Sequence, residues 1–247
     1  GMDDLCQAVL QAARSELPPS SYDLVEDTAH PLREVVSETR RWLGFRAARF
    51  VLTVPRVLTK AVASGADLLG RAGWRSPLRS TAMTVMEEGV TGDPAPYRAA
   101  SGRPIASLRQ IYDGLTCGPS HRLSARMSLL MPVTIAILSL FWVMSGLLGL
   151  ISLTQAAEVL TRVGWSMGWA KTSVLFWSFV DIALGLGLLW RPWAARVCLA
   201  QAGVALFYLI AATFTVPMLW ADPLGPLVKI LPALLLPLFA RTLLETR

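Results

Sequence analysis

The sequence predicts a mainly α membrane protein, with a four-helix transmembrane bundle preceded by a partial α/β cytoplasmic region. Three observations carry this expectation. Hydrophobic residues make up 53% of the chain and charged residues only 16%, against ~25% charge in an ordinary soluble domain. The run 131–152 contains no charged residue. It is long enough for a hydrocarbon core of roughly 30 Å, which takes ~20 apolar residues. Three further apolar runs follow at 172–190, 194–219 and 223–243. A buried helix of a soluble domain rarely stays apolar all round for such lengths. The boundary between the two regions is expected near residue 120.

The charge is unevenly placed. Residues 1–120 hold 14 Lys/Arg against 13 Asp/Glu, and residues 121–247 hold 9 against 4. The net +6 therefore comes mostly from the membrane half, where topology explains it better than nucleic-acid binding. Arg122 and Arg126 precede the first run. Arg191 and Arg196 stand by the RPW link between the second and third, and Arg241 and Arg247 close the fourth. By the positive-inside bias these points face the cytoplasm, with both termini inside and a bacterial inner membrane around the spans. Trp165, Trp169, Trp190, Trp193 and Trp220 are expected at headgroup level, and 153–170 as an interfacial helix. Cys6, Cys117 and Cys198 are far apart with no CxxC or metal spacing, and read as free thiols in a reducing compartment.

In the first region, Leu5, Val9, Leu10 and Ala13 fall at helical spacing after Asp3 or Asp4 as N-cap. Residues 21–28 read as a strand. A helix over 30–45 follows, with Pro31 in its first turn and Gly44 ending it. A second strand is expected over 49–55, then helices over 56–69, 82–88 and 105–115. The Gly- and Pro-rich stretch 92–104 reads as a loop.

The order DDLCQAVLQAAR, YDLVED, HPLREVVSETRRWLGF, RFVLTVP, GWRSPLRST, GVTGDPAPY resembles the C-terminal half of extended short-chain dehydrogenase/reductases. More narrowly, it is similar to the bacterial subgroup in which an NAD(P)-binding domain is fused to a DoxX-like membrane domain. In the membrane half the segment WADPLGPLVKILP, 220–232, carries that resemblance. It implies redox chemistry at a thiosulfate or quinol. The resemblance also implies a glycine-rich dinucleotide turn and a Tyr with a Lys four residues later. Neither occurs here, since Tyr22, Tyr97, Tyr112 and Tyr208 all lack that Lys. Both motifs would lie upstream of Gly1, so the chain is expected to lack its catalytic half. It carries no catalytic residue, metal ligand or cofactor of its own, and NAD(P) belongs only to a missing N-terminal Rossmann domain or partner. His30 reads as a capping or surface residue and His121 as a headgroup contact.

Ionisable residues inside apolar runs are the remaining signal. Asp181 lies near the middle of the second run, and Lys229 lies ~10 Å in from Asp222 along the fourth, by helical rise. Either charge alone is costly in lipid, so the two are expected to pair, with Gln201 and Tyr208 completing a polar cluster. Two readings stay open for that cluster. One is a proton or quinone site; the other is a structural ion pair fixing helix register. The functional expectation is a membrane anchor that holds a cytoplasmic reductase next to a lipid-soluble substrate or quinone. The alternative is a non-catalytic DoxX-like membrane protein with a structural or partner-binding role.

Overall fold

The structure is a computed structural model, and it describes every residue except 49, 51–53, 77, 224 and 246–247. The chain divides into two compact units, Gly1–Ala66 with Pro77–Ala125, and Asp67–Ser76 with Arg126–Arg247. Among the described residues there are helices and no strand.

The first unit contains α1 (Met2–Ala13), α2 (Leu32–Trp42), most of α3 (Arg56–Arg71), α4 (Ser80–Glu88), α5 (Ala95–Ser101) and α6 (Leu108–Gly114). The expected strand at 21–28 does not form. A strand needs a backbone partner, and this segment is instead held through its side chains. Asp23 Oδ2 accepts from the Asp93 N–H at 3.1 Å, and Glu26 Oε2 accepts from the Leu108 N–H at 2.8 Å. Arg98 donates to Asp27 at 2.7 Å. The other expected strand, 49–55, falls mainly on residues outside the described set; Phe50, Val54 and Pro55 have no regular structure.

The loop expected at 92–104 contains α5, which starts behind Pro94 and ends at Gly102 with φ +67°. Gly1, not Asp3 or Asp4, precedes α1; the two aspartates sit inside its first turn, where the helix dipole favours them. Helix α3 runs through Gly70 to Arg71. Helix α6 carries a capping box, in which Ser107 Oγ accepts from the Gln110 N–H and Gln110 Oε1 accepts from the Ser107 N–H. Helices α2 and α6 join through Thr39 and Tyr112, whose hydroxyls are 2.6 Å apart, and through the Trp42 indole, which donates to the Leu115 carbonyl at 2.9 Å. His121 Nδ1 accepts from the Gly118 N–H at 3.2 Å, and its ring meets the edge of Trp42. It thus serves the entry to the next helix.

Four helices are long and apolar enough to cross a membrane: α7 (Pro119–Ile151), α9 (Met167–Gly187), α10 (Arg191–Thr215) and α11 (Pro226–Glu245). A short α8 (Leu153–Thr161) links the first two, and a 3-10 turn (Pro217–Trp220) links the last two. The RPW link is not a separate turn. Pro192 sits in the first turn of α10, where its missing N–H costs nothing. Large apolar side chains such as Phe141, Phe176, Phe179, Phe214 and Phe239 point outward, as lipid-facing residues do, and the five expected interfacial tryptophans are all exposed near helix ends.

With no water to drive burial, such helices associate by close packing and interhelical hydrogen bonds. Helices α7 and α9 use both. A Cβ on Gly146 would strike the Ser178 carbonyl, and one on Gly149 would strike the Ser178 hydroxyl. A Cβ on Gly185 would lie 2.8 Å from the Val143 nitrogen and 2.9 Å from the Ser139 carbonyl oxygen. Ser139 Oγ donates across the seam to the Gly185 carbonyl at 2.8 Å. Gly149 lies in this seam, while Ala183 is exposed and Gly187 meets Val197 of α10 at an ordinary distance. The bundle core is Met131, Ile135, Leu138 and Trp142 of α7 with Leu188, Ala194, Cys198, Ala205, Ala240 and Leu244.

Candidate intramembrane site

Asp181 is the centre of the buried polar chemistry. Helix α9 carries it inward on the stripe of Ser178, Asp181 and Gly185, spaced three and four apart, so all three are buried. Both carboxyl oxygens have partners. The Tyr208 hydroxyl of α10 donates to Oδ1 at 2.8 Å, and Ser145 Oγ of α7 donates to Oδ2 at 2.8 Å. Three helices thus meet at one carboxyl group. The glycine seam between α7 and α9 is what lets Ser145, with its short side chain, reach it.

This cluster forms part of the wall of a cavity of about 540 Å³ bounded by α7, α8, α9, α10 and the start of α11. Aromatic rings supply much of the remaining wall. Trp177 stacks on Phe207 with centroids 4.8 Å apart and an interplanar angle of 27°, and it meets Tyr208 edge-on at 5.4 Å. Trp165 and the small side chains Ser173 and Ala211 complete the lining. A concave, mostly apolar space with a few convergent polar groups is the ordinary form of a small-molecule site. Here that space sits among the membrane-capable helices.

Of the four residues expected to cluster, the structure brings two together, Asp181 and Tyr208. Gln201 is fully buried, but its Nε2 donates to the Leu184 carbonyl at 3.3 Å, and its Oε1 has no partner among the described groups. It lies seven residues from Tyr208 on α10, about 10 Å along the axis, and does not join the cluster. Lys229 is exposed. Its neighbours Leu227 and Ile230 line the cavity, and at ~100° of turn per residue Lys229 falls on another face of α11. The expected ion pair between Asp181 and Lys229 is therefore not made: hydroxyl donors occupy the carboxyl group and the lysine turns away. Ser145, Trp177 and Phe207 were not singled out for this site by sequence reasoning. Ser145 is one of several serines in the apolar runs, and the aromatic pair gave no signal separate from ordinary lipid-facing side chains.

Residues 139–238 match the DoxX-like family. The segment is a DoxX-like domain. It spans the four helices from the middle of α7 to the middle of α11, and it contains Asp181, Tyr208, Ser145 and the whole aromatic wall of the cavity. The match thus falls on the part of the chain that holds its four membrane-capable helices. No curated protein and no solved structure matches it. Residues 1–120, whose order resembled a dehydrogenase half, lie outside the DoxX-like match. Among the described residues of that region there is no strand and no glycine-rich dinucleotide turn. Among the described residues no group of His, Cys, Asp and Glu could hold a metal ion.

Proposed function

We propose that the DoxX-like domain binds a lipid-soluble quinone in the cavity beside Asp181 and Tyr208, as the membrane part of an oxidoreductase assembly. One observation carries the reading: a carboxyl and a phenol, hydrogen-bonded to each other, stand at the wall of a mostly apolar cavity that also carries the stacked Trp177–Phe207 pair. A quinone has a flat ring suited to the Trp177–Phe207 stack and carbonyl oxygens suited to a hydroxyl donor. Its reduction takes up two protons with two electrons, and Tyr208 and Asp181 are groups that hold exchangeable protons. The electrons would come from a cytoplasmic NAD(P)-dependent reductase carried on a partner or a preceding domain. The basic residues at the α7 entry, the α9–α10 link and the end of α11 support a bacterial inner membrane with both termini in the cytoplasm.

A second reading is favoured by the full satisfaction of both Asp181 oxygens within the bundle. In that reading the cluster fixes helix register and the protein is a non-catalytic membrane scaffold. One experiment separates the two. The protein is reconstituted in nanodiscs and titrated with a short-tailed ubiquinone analogue while tryptophan fluorescence is followed. Quinone binding predicts saturable quenching, most of it lost in Trp177→Phe, with affinity about tenfold weaker in Tyr208→Phe as one hydrogen bond is lost. Linear, unsaturable quenching that is identical in all three proteins supports the scaffold.

A further inference from the structure

Helix α3 has three distinct sides. At ~100° per residue, Thr59, Ala63, Ala66 and Gly70 share one stripe, on which Ala63 and Ala66 are buried. Arg56, Lys60, Ser64, Asp67 and Arg71 share the next, which is polar and net basic. The third is a wide apolar sector containing Val57, Leu58, Val62, Leu68 and Leu69, and all five are exposed. An apolar sector of that width left open on an ordered helix marks a surface that something covers.

The C-terminal end of this helix has a fixed place. The Arg191 N–H donates to the Ala72 carbonyl at 2.9 Å, and the Trp74 indole donates to the Leu189 carbonyl at 2.6 Å. The Arg191 guanidinium also lies over the Trp74 ring, 5.6 Å from its centroid. Gly73, at φ +89°, makes the turn against Arg191 and Pro192 that permits this. The link between the two spans is 188–190, and Trp190 in it and Trp193 in the first turn of α10 are both exposed. That link stands where the spans leave the hydrocarbon, so the segment after α3 is pinned at the membrane–water boundary.

We infer that α3 lies in the plane of the bilayer surface, its apolar sector sunk among the acyl chains and its basic stripe against anionic lipid headgroups. The helix starts out from a point fixed at interfacial depth. It carries the side-chain division of an interfacial helix, with apolar residues on one sector and Arg56, Lys60 and Arg71 beside them. The occupant of the open face is therefore lipid. It is neither a second copy of the chain nor another protein.

The test uses the full chain in nanodiscs of phosphatidylcholine and phosphatidylglycerol. Cys6 and Cys117 are changed to Ser, leaving the buried Cys198, and a fluorophore is attached at Leu58→Cys, Val62→Cys, Lys60→Cys or Ser64→Cys in turn. Each label is exposed to doxyl-lipid and, separately, to aqueous iodide. At 58 and 62 the ratio of lipid to iodide quenching is expected to be several-fold higher than at 60 and 64. The contrast should shrink in Arg56→Glu/Arg71→Glu, whose charges no longer favour anionic headgroups. Equal iodide quenching at all four positions overturns the inference, because the apolar sector then faces water. Protection of 58 and 62 from both quenchers overturns it too, because protein then covers the helix. Labelling two positions per side keeps the result readable if one variant folds poorly.

Discussion

Gly185→Ala should break the seam on which the Asp181 cluster depends. The added methyl carbon would lie 2.6 Å from Val143 Cγ2, 2.8 Å from the Val143 nitrogen and 2.9 Å from the Ser139 oxygen. Carbon and its neighbours pack at roughly 3.5–4.0 Å. Two of the three atoms are backbone and cannot rotate aside, so α7 and α9 must part by about 1 Å. Overpacking of this kind costs ~1–3 kcal/mol. The Ser139–Gly185 hydrogen bond, at 2.8 Å, would stretch past useful length, adding ~0.6 kcal/mol by the average for interhelical bonds in membranes. The expected loss is about 2–3 kcal/mol. It would be read by reversible unfolding in mixed micelles of detergent and dodecyl sulfate. Gly203→Ala is the control: this helical glycine on α10 has open space around its would-be Cβ. Alanine there should be neutral or stabilise by up to ~1 kcal/mol through helix propensity. If Gly185→Ala unfolds like the wild type, or if Gly203→Ala loses as much, the close approach of α7 and α9 is not what holds the bundle.

Two further outcomes follow from the same geometry. Asp181→Leu strands the Tyr208 and Ser145 hydroxyls without an acceptor and should cost about 1–2 kcal/mol in the same unfolding assay, whereas Lys229→Met should cost nothing; equal losses would restore the abandoned ion pair. In the first unit, His30 sits between Glu34, 3.0 Å from Nδ1, and Glu26, 3.1 Å from Nε2, and these bonds, that to Glu34 first, raise its pKa above 6.5. Because the folded value is the higher one, the imidazolium's contribution is complete below the unfolded value of ~6.5 and fades as pH rises through the folded value. Amide exchange in α2 should therefore quicken as pH rises above about 6.5, beyond its intrinsic rise, and His30→Gln should remove the excess; an unchanged excess would assign it to another group.

The membrane half was legible in the sequence because apolar length is a one-dimensional property. Each of the four apolar runs overlaps a helix of the structure, with ends moved by a few residues. The ends moved where local chemistry outweighed hydropathy. Pro192 began α10 ahead of its apolar run, and the polar stretch from Pro119 joined α7 as further turns. Depth was legible too, but the side of the helix on which a residue stands was not. Lys229 was placed by its rise along the axis, and the pairing with Asp181 failed on azimuth. In the first region the error was of another kind. Residues 21–28 have the alternation of a strand, but alternation says only that two faces differ. Here one face carries Asp23 and Asp27 to distant N–H and guanidinium donors, and no ladder was available to compete.

The candidate site is more tightly determined than a single buried carboxyl group would suggest, because the seam and the cluster constrain each other. Ser145 can reach Asp181 only while Gly146, Gly149 and Gly185 keep α7 and α9 in backbone contact. The Ser145–Asp181 bond in turn ties α7 to α9 across that seam. Tyr208 then holds the second oxygen from α10, on the side where Trp177 and Phe207 wall the cavity. Asp181 and Tyr208 both line that space, and the one Tyr208 proton is already donated to Asp181. In the proposed chemistry a carbonyl oxygen that accepts from Tyr208 takes that proton away from Oδ1, while the Ser145 bond to Oδ2 and the α7–α9 seam stay in place.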